Sequence, residues 1–243
     1  MSDAFNFKRF SVFHAESSMK VSQESILLGA WTDINGRKRI LDAGCGCGLL
    51  ALMMAQRTES ETEILAIDID EASVEESKVN FHNSPWGERL TADLKSFDNI
   101  NEECFDLIIS NPPYFQSGKK ELYTSREIAR HQSTLSPSAL LRGGKKILNN
   151  GGSVAMVVPT DQVTFLITEG VKLGYRLRRE CKIRGRIDLH AKRSLLQFVL
   201  DEGSRKGEIG DRESEGEEVI VREAKGEYTE DFKRLTKDFY KIF

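Results

Sequence analysis

Between residues 38 and 200, short apolar runs alternate with longer segments whose apolar positions recur every three or four residues. "RILDAG" reads as a strand running into glycines, and "GLLALMMAQR" after it reads as a helix. "EILAIDID" is a second strand, followed by "EASVEESKVNFHNS", a helix whose acidic first turn suits the helix dipole. "RLTAD" is a weak third strand and "FDLIIS" a clear fourth. In "SPSALLRGGKKIL", Ser136 takes the N-cap and Pro137 the first helical position. "GGSVAMVVP" is a fifth strand, "DQVTFLITEGVKLG" a helix, and "YRLRRECKIR" and "LLQFVL" complete the set. Such alternation predicts an α/β fold: a mostly parallel seven-stranded sheet with helices on both faces.

The flanks break the pattern. Residues 1–37 open with "FNFKRFSVFH", which alternates like a hairpin, and continue through "SMKVSQESILLGAW", a loop and short helix. They read as an N-terminal extension, a hairpin or lid, on a single domain spanning 38–243. Residues 201–217, "DEGSRKGEIGDRESEGE", carry almost no apolar side chains and read as a surface loop. "EVIVRE" then reads as a strand and "YTEDFKRLTKDFYKIF" as an amphipathic terminal helix.

Composition adds boundaries. With 39% hydrophobic and 30% charged residues among 243, the chain has the profile of a soluble globular protein. No apolar run approaches the ~20 residues a membrane span needs, and "MSDAFNFKRF" has no signal core, so a cytoplasmic address is expected. The four cysteines and four histidines lack metal-ligand spacing, so no metal is expected and the thiols are read as reduced. The net charge of -3 conceals a basic run, Arg176 to Arg193, with eight Lys/Arg against two Asp/Glu. An acidic run from Asp201 to Glu218 offsets it, with eight Asp/Glu against three Lys/Arg.

Candidate chemistry begins at "LDAGCGCG", the turn from first strand to first helix. Gly44, Gly46 and Gly48 allow a sharp bend and close approach of a ligand to the backbone. Asp68, twenty residues after Gly48 at a strand end, is placed to accept hydrogen bonds from ribose hydroxyls. The spacing G-x-G-x-G, preceded by Asp42, differs from the G-x-G-x-x-G of dinucleotide sites. A nearby carboxylate does nothing for a phosphate but suits a ligand carrying an ammonium group, which points to S-adenosylmethionine. Asp93, in "TADLKSF", fits a third position, accepting from the cofactor's adenine amine.

The fourth strand ends in "SNPPYF". Pro112 and Pro113 stiffen the turn and remove two donors, leaving the Asn111 amide oxygen and the Pro112 carbonyl as acceptors. An exocyclic amine on adenine is a poor nucleophile because its lone pair is delocalised into the ring. Two acceptors gripping its N–H groups favour a pyramidal nitrogen, and Tyr114 offers a face for stacking. Lys119, Lys120, Arg126 and Arg130 follow closely and are candidate phosphate contacts.

Together "LDAGCGCG", "AIDID" and "SNPPYF" resemble class I S-adenosylmethionine-dependent methyltransferases that modify amino groups, with their Rossmann-like fold. "FKRFSVFH", "MKVSQESILLGAW", "REIARHQSTLS" and "YTEDFKRLTKDFY" are similar to the bacterial tRNA1(Val) adenine-37 N6-methyltransferases over nearly the whole chain. Where that family reads closer to M-K-V-G-T-D, this chain has Met19-Lys20-Val21-Ser22-Gln23-Glu24. The resemblance implies a tRNA partner and puts Lys20 and Ser22 near the methionine end of the cofactor. It lines the amino-acid moiety with Asp42 and the three glycines, and gives Asp68 the ribose and Asp93 the adenine. Asn111, Pro112, Pro113 and Tyr114 would hold the target base, Asn111 bordering the cofactor too. A monomer is the favoured oligomeric state, which the sequence does not fix. The competing readings are a protein glutamine N5-methyltransferase, another rRNA or DNA amino-methyltransferase, and a non-catalytic RNA-binding module.

Overall fold

The computed structural model describes residues 4–17, 20–101, 104–113, 135–201 and 216–243. An antiparallel hairpin of β1 (Ala4–Asn6) and β2 (Ser11–Phe13) leads to helix α1 (Gln23–Trp31). Then come β3 (Arg39–Ala43), α2 (Leu49–Arg57), β4 (Glu63–Asp68), α3 (Glu71–His82), β5 (Leu90–Leu94) and β6 (Phe105–Ser110). Helix α4 (Pro137–Ile147), β7 (Leu148–Pro159) and α5 (Val163–Leu173) precede a long hairpin of β8 (Tyr175–Arg186) and β9 (Arg193–Leu200). Strand β10 (Glu217–Arg222) and helix α6 (Glu230–Thr236) follow.

The large sheet has the order β10-β8-β9-β7-β6-β3-β4-β5, and only β9 runs antiparallel to its neighbours. This confirms the mostly parallel α/β arrangement, but with eight strands rather than seven. The eighth is β10, the "EVIVRE" segment, which lies parallel to β8 at the edge. Its own residues show that it is extended; its partner is set by packing from elsewhere in the chain. The weak pattern of "RLTAD" has a related cause: β5 is the opposite edge strand, with Thr91, Asp93 and Leu94 exposed. In β8 the register shifts between Leu177 and Arg179, so Arg178 is a bulge residue and two adjacent arginines fit in one strand.

Helices α1, α2, α3 and α6 cover one face of the sheet, burying Leu28, Leu52, Met53, Phe81 and Phe232. Helices α4 and α5 cover the other with Leu140, Leu141 and Leu166. Helix α6 stops at Thr236, well short of the terminal helix expected from its sequence. The chain turns there, with Phe239 N donating to the Thr236 carbonyl, and carries Tyr240 and Phe243 into an aromatic cluster with Phe232. Phe7 of the N-terminal hairpin joins this cluster beside Tyr240. No helix among the described residues is long and apolar enough to cross a membrane.

Strand β3 sits between β4 and β6, and construction of the sheet reverses direction there. In open α/β sheets the crevice at the carboxyl ends of such strands is where ligands bind. The seam is closed by Ser110 Oγ, which donates to the Ala43 carbonyl at 2.7 Å.

Candidate active site

The turn after β3 is built on left-handed backbone: φ is +71° at Gly44, +53° at Gly46 and +78° at Gly48. Only glycine takes these angles without strain. At Gly48 space is also lacking, since an added Cβ would lie 2.5 Å from the Phe81 ring. The Gly44 and Cys45 N–H groups both donate to the Ile67 carbonyl, at 2.9 and 3.0 Å, folding the turn toward the end of β4. There Asp68 Oδ2 accepts from Gly46 N at 2.9 Å and Oδ1 from Asp70 N at 3.0 Å, so its carboxylate is fixed against the glycine turn.

Gly48 is the N-cap of α2 and has no side chain to cap with. Asp42 does that work from the preceding strand: its Oδ2 accepts from Ala51 N at 2.9 Å. Asp42 is fully buried, and its Oδ1 has no hydrogen-bond partner among the described residues. Burial pushes its acid up to about 7, with the charge of Asp68 adding to the rise against the Ala51 hydrogen bond. In the unfolded chain the group ionises near its ordinary pKa of about 4. Ionised Asp42 therefore opposes folding, and the stability it withholds grows as pH rises from about 4 through about 7. Asp42→Asn keeps the acceptor for Ala51 but cannot ionise. Its melting temperature relative to the parent should therefore climb between pH 4 and pH 7.5. A pH-independent difference in calorimetric scans would contradict this assignment. The neighbouring thiols are inert: burial raises Cys47 to about 12 and Cys45 well above the usual thiol range.

On the other side of the seam, Asn111 is nearly buried and its amide is held by helix α1. Asn111 Nδ2 donates to Ser25 Oγ at 2.8 Å and lies 3.4 Å from Ser22 Oγ. Ser22 is the N-cap of α1, accepting from Ser25 N at 3.1 Å, and the two hydroxyls lie 3.1 Å apart. With its nitrogen on these hydroxyls, the amide presents its oxygen as the acceptor end. Pro112 is buried beside it and Pro113 exposed. Lys20 is exposed in the segment leading to α1. Tyr114, Lys119, Lys120, Arg126 and Arg130 lie outside the described residues.

Helix α3 ties both sides together through one polar, buried stripe. Ser77 Oγ donates to the Gly46 carbonyl at 2.7 Å, and Asn80 Nδ2 to the Cys47 carbonyl at 2.9 Å. Asn80 also exchanges two 2.8 Å hydrogen bonds with the Phe13 backbone. Glu76, one helical turn back, accepts from the N–H groups of Ala15, Glu16 and Ser17 at 2.8, 3.1 and 2.9 Å. The segment on the approach to Ser22 is thus anchored to the helix that braces the glycine turn. Ser25, Glu76, Ser77 and Asn80 were not singled out by sequence. The signal available was spacing alone: 73, 76, 77 and 80 share one helical face.

At the cofactor's expected adenine end, Leu94 pairs with Asp68, and Asp93 pairs with Ile67. Strand alternation therefore puts Asp93 and Asp68 on opposite faces of the sheet, with Asp93 exposed. Ile69 and Leu94, 53% and 55% exposed, give adjacent strand ends an apolar surface that the sequence reading did not identify.

Comparison with known proteins fits this geometry. The methyltransferase small domain family matches residues 11–167, and the chain belongs to the class of methyltransferases that it defines. A solved structure described as a predicted O-methyltransferase of Agrobacterium tumefaciens superposes with TM-score 0.61 at 17% identity, covering 89% of this chain and 96% of that one. A putative RNA methyltransferase of Pyrococcus horikoshii gives 0.55 at 15%, covering 77% and 88%. At such identities these two show the fold alone, that of class I methyltransferases. More specifically, the chain belongs to the family of tRNA1(Val) (adenine(37)-N6)-methyltransferases. Relatives of that name from Tolumonas auensis and Vibrio campbellii are 36% and 37% identical. They cover 98% and 97% of this chain, and 96% and 95% of their own lengths are matched.

Proposed function

We propose that this chain transfers a methyl group from S-adenosylmethionine to the N6 amine of adenine in tRNA, at position 37 of tRNA1(Val). The observation that carries the reading is the Asn111 amide. It is oriented by two serine hydroxyls at the end of β6, directly across the seam from the glycine turn. Family membership over the full length supports the same substrate.

The residues at the turn fit the cofactor. No Lys or Arg occurs from Leu41 to Gly48, and the Asp42 and Asp68 carboxylates already accept from the backbone N–H groups of Ala51 and Gly46, an arrangement that disfavours a phosphate. The buried Asp42 carboxylate gains from a nearby ammonium, Asp68 accepts from ribose hydroxyls, and Ile69 and Leu94 offer apolar cover for a purine. Asp93 would accept from the adenine amine, and Lys20 and Ser22 would border the methionine end. When bound, S-adenosylmethionine supplies an electrophilic methyl group on its sulfonium.

The protein's own contribution is positioning. Asn111 Oδ1 and the Pro112 carbonyl accept the two N–H groups of the target amine and direct its lone pair. Pro112 and Pro113 keep the corner stiff, and Tyr114 stacks on the base. No side chain with a tuned pKa is needed, because the methylated nitrogen is acidic and loses its proton to water. Catalysis is by orientation and electrostatics. Lys119, Lys120, Arg126 and Arg130 contact phosphates, and the enzyme works in the cytoplasm as a monomer; residues 1–37, expected as a lid, instead pack into the core through Phe7, Val12 and Leu28.

The deciding assay is transfer of labelled methyl to in vitro transcribed tRNA1(Val), followed by nucleoside analysis. N6-methyladenosine should form with adenine at position 37 and not with guanine there. Label recovered in glutamine of a protein substrate, or label that ignores position 37, would overturn the assignment.

A further inference from the structure

The basic run from Arg176 to Arg193 is split by the fold into two parts with different surroundings. Strand β8 is parallel to β10 and antiparallel to β9, which is antiparallel to β7. The start of β8 therefore lies at the end of the sheet opposite Asn111, and its arginines there are ion-paired. Arg176 meets Asp201 at 3.7 Å, Arg178 meets Asp33 at 2.9 Å and Arg179 meets Glu217 at 3.0 Å. Those contacts hold the sheet edge together.

The turn end of the hairpin is different. Arg193 pairs with Pro159 on β7, three residues beyond Met156, which pairs with Ser110. At about 3.3 Å per residue the hairpin has risen about 10 Å past the level of Asn111's strand by that point. Ile183 pairs with Arg193, and β8 continues three residues further to Arg186, adding roughly 10 Å more. Laterally β9 is two strands from β6, about 10 Å away. The β8–β9 turn thus overhangs the rim on which the target base must be presented.

Its chemistry is consistent with one partner. Residues 182–193 contain five Lys/Arg and one Asp, a net charge of +4. Arg184 pairs with Glu218 at 2.8 Å, and Arg186 is fixed by Asp188 through contacts of 2.5 and 2.8 Å. Lys182 and Lys192 are exposed and have no ion pair among the described residues. Ile187 and Leu189 stand 43% and 46% exposed between them. Lysines spaced along a rim, with apolar side chains in the gap, suit a phosphate backbone carrying unstacked bases or riboses. We propose that the β8–β9 turn is an RNA-docking arm, in which Lys182 and Lys192 contact phosphates of the substrate tRNA flanking the target base. This rests on the tRNA reading above and adds a surface to it.

The test compares two double variants of the full chain for binding to tRNA1(Val) across a salt series. Lys182→Ala/Lys192→Ala should weaken binding about tenfold near 0.1 M salt and flatten the log–log salt slope by about two. Lys172→Ala/Arg176→Ala, which removes the same charge at the far end, should change neither beyond about twofold. Cofactor affinity should be unaltered in both. A parental slope in the first variant, or equal losses in both, would overturn the docking arm while leaving methylation by the parent intact. A parent that neither binds nor methylates tRNA would instead remove the underlying reading, and the arm with it.

Discussion

Asn111→Ala is expected to lower turnover about 10²–10³-fold while cofactor affinity stays within about twofold, the pattern of a lost interaction made chiefly in the transition state. The reason is local. Alanine removes the amide oxygen that would localise the amine's lone pair, yet it leaves no broken core behind. Ser22 and Ser25 lie 3.1 Å apart and remain partners for one another once the amide is gone. The variant should therefore fold, and circular dichroism with calorimetric binding of S-adenosylmethionine will separate loss of chemistry from loss of structure. Ser25→Ala should show a weaker version, about tenfold in kcat, because Asn111 Nδ2 then loses its 2.8 Å hydrogen bond to Ser25 Oγ while the 3.4 Å approach to Ser22 Oγ remains. Near-normal turnover in the Asn111 variant would remove the amine-gripping role altogether.

The second large effect is on the cofactor. Asp68→Ala should weaken S-adenosylmethionine binding by roughly 100-fold, about 3 kcal/mol, from the loss of charged hydrogen bonds to the ribose. Part of that loss will be indirect. Asp68 also accepts from Gly46 N and Asp70 N, so its removal loosens the glycine turn and the entry to α3. Asp68→Asn separates the two contributions, since it keeps an acceptor for Gly46 but gives up the charge. Its affinity should lie between parent and alanine variant. An unchanged dissociation constant for Asp68→Ala, measured by titration calorimetry, would refute the ribose contact.

How much of this site could be read in advance depended on where each residue's information resides. Gly44, Gly46, Gly48 and the prolines at 112 and 113 were legible because they constrain their own backbone, and a turn between strand and helix needs few other residues to specify it. Asp68 was legible by its distance along one βα unit. Glu76 was not. In "EASVEESKVNFH" a glutamate reads as a solvated helix face, and it is buried here only because backbone from residues 15–17 comes to cover it. Ser25 likewise looks like an ordinary residue of a helix's first turn until β6 delivers Asn111 beside it. The same distinction explains the fold. β10 was legible as extended chain, whereas its pairing with β8 arises from distant residues. The early stop of α6 accompanies the folding of Tyr240 and Phe243 back onto Phe232, with Tyr240 also meeting Phe7 of the distant N-terminal hairpin.

The buried stripe on α3 has a mechanical consequence. Methyl transfer tolerates little error in the separation between donor and acceptor. One helix here clamps the turn assigned to the first and also the strand of chain that runs toward the clamp on the second. Thermal flexing that shifts this helix carries both fixtures the same way, so their spacing is buffered where their absolute positions are not. The enzyme need not be stiff throughout to be accurate; it needs only a common mount.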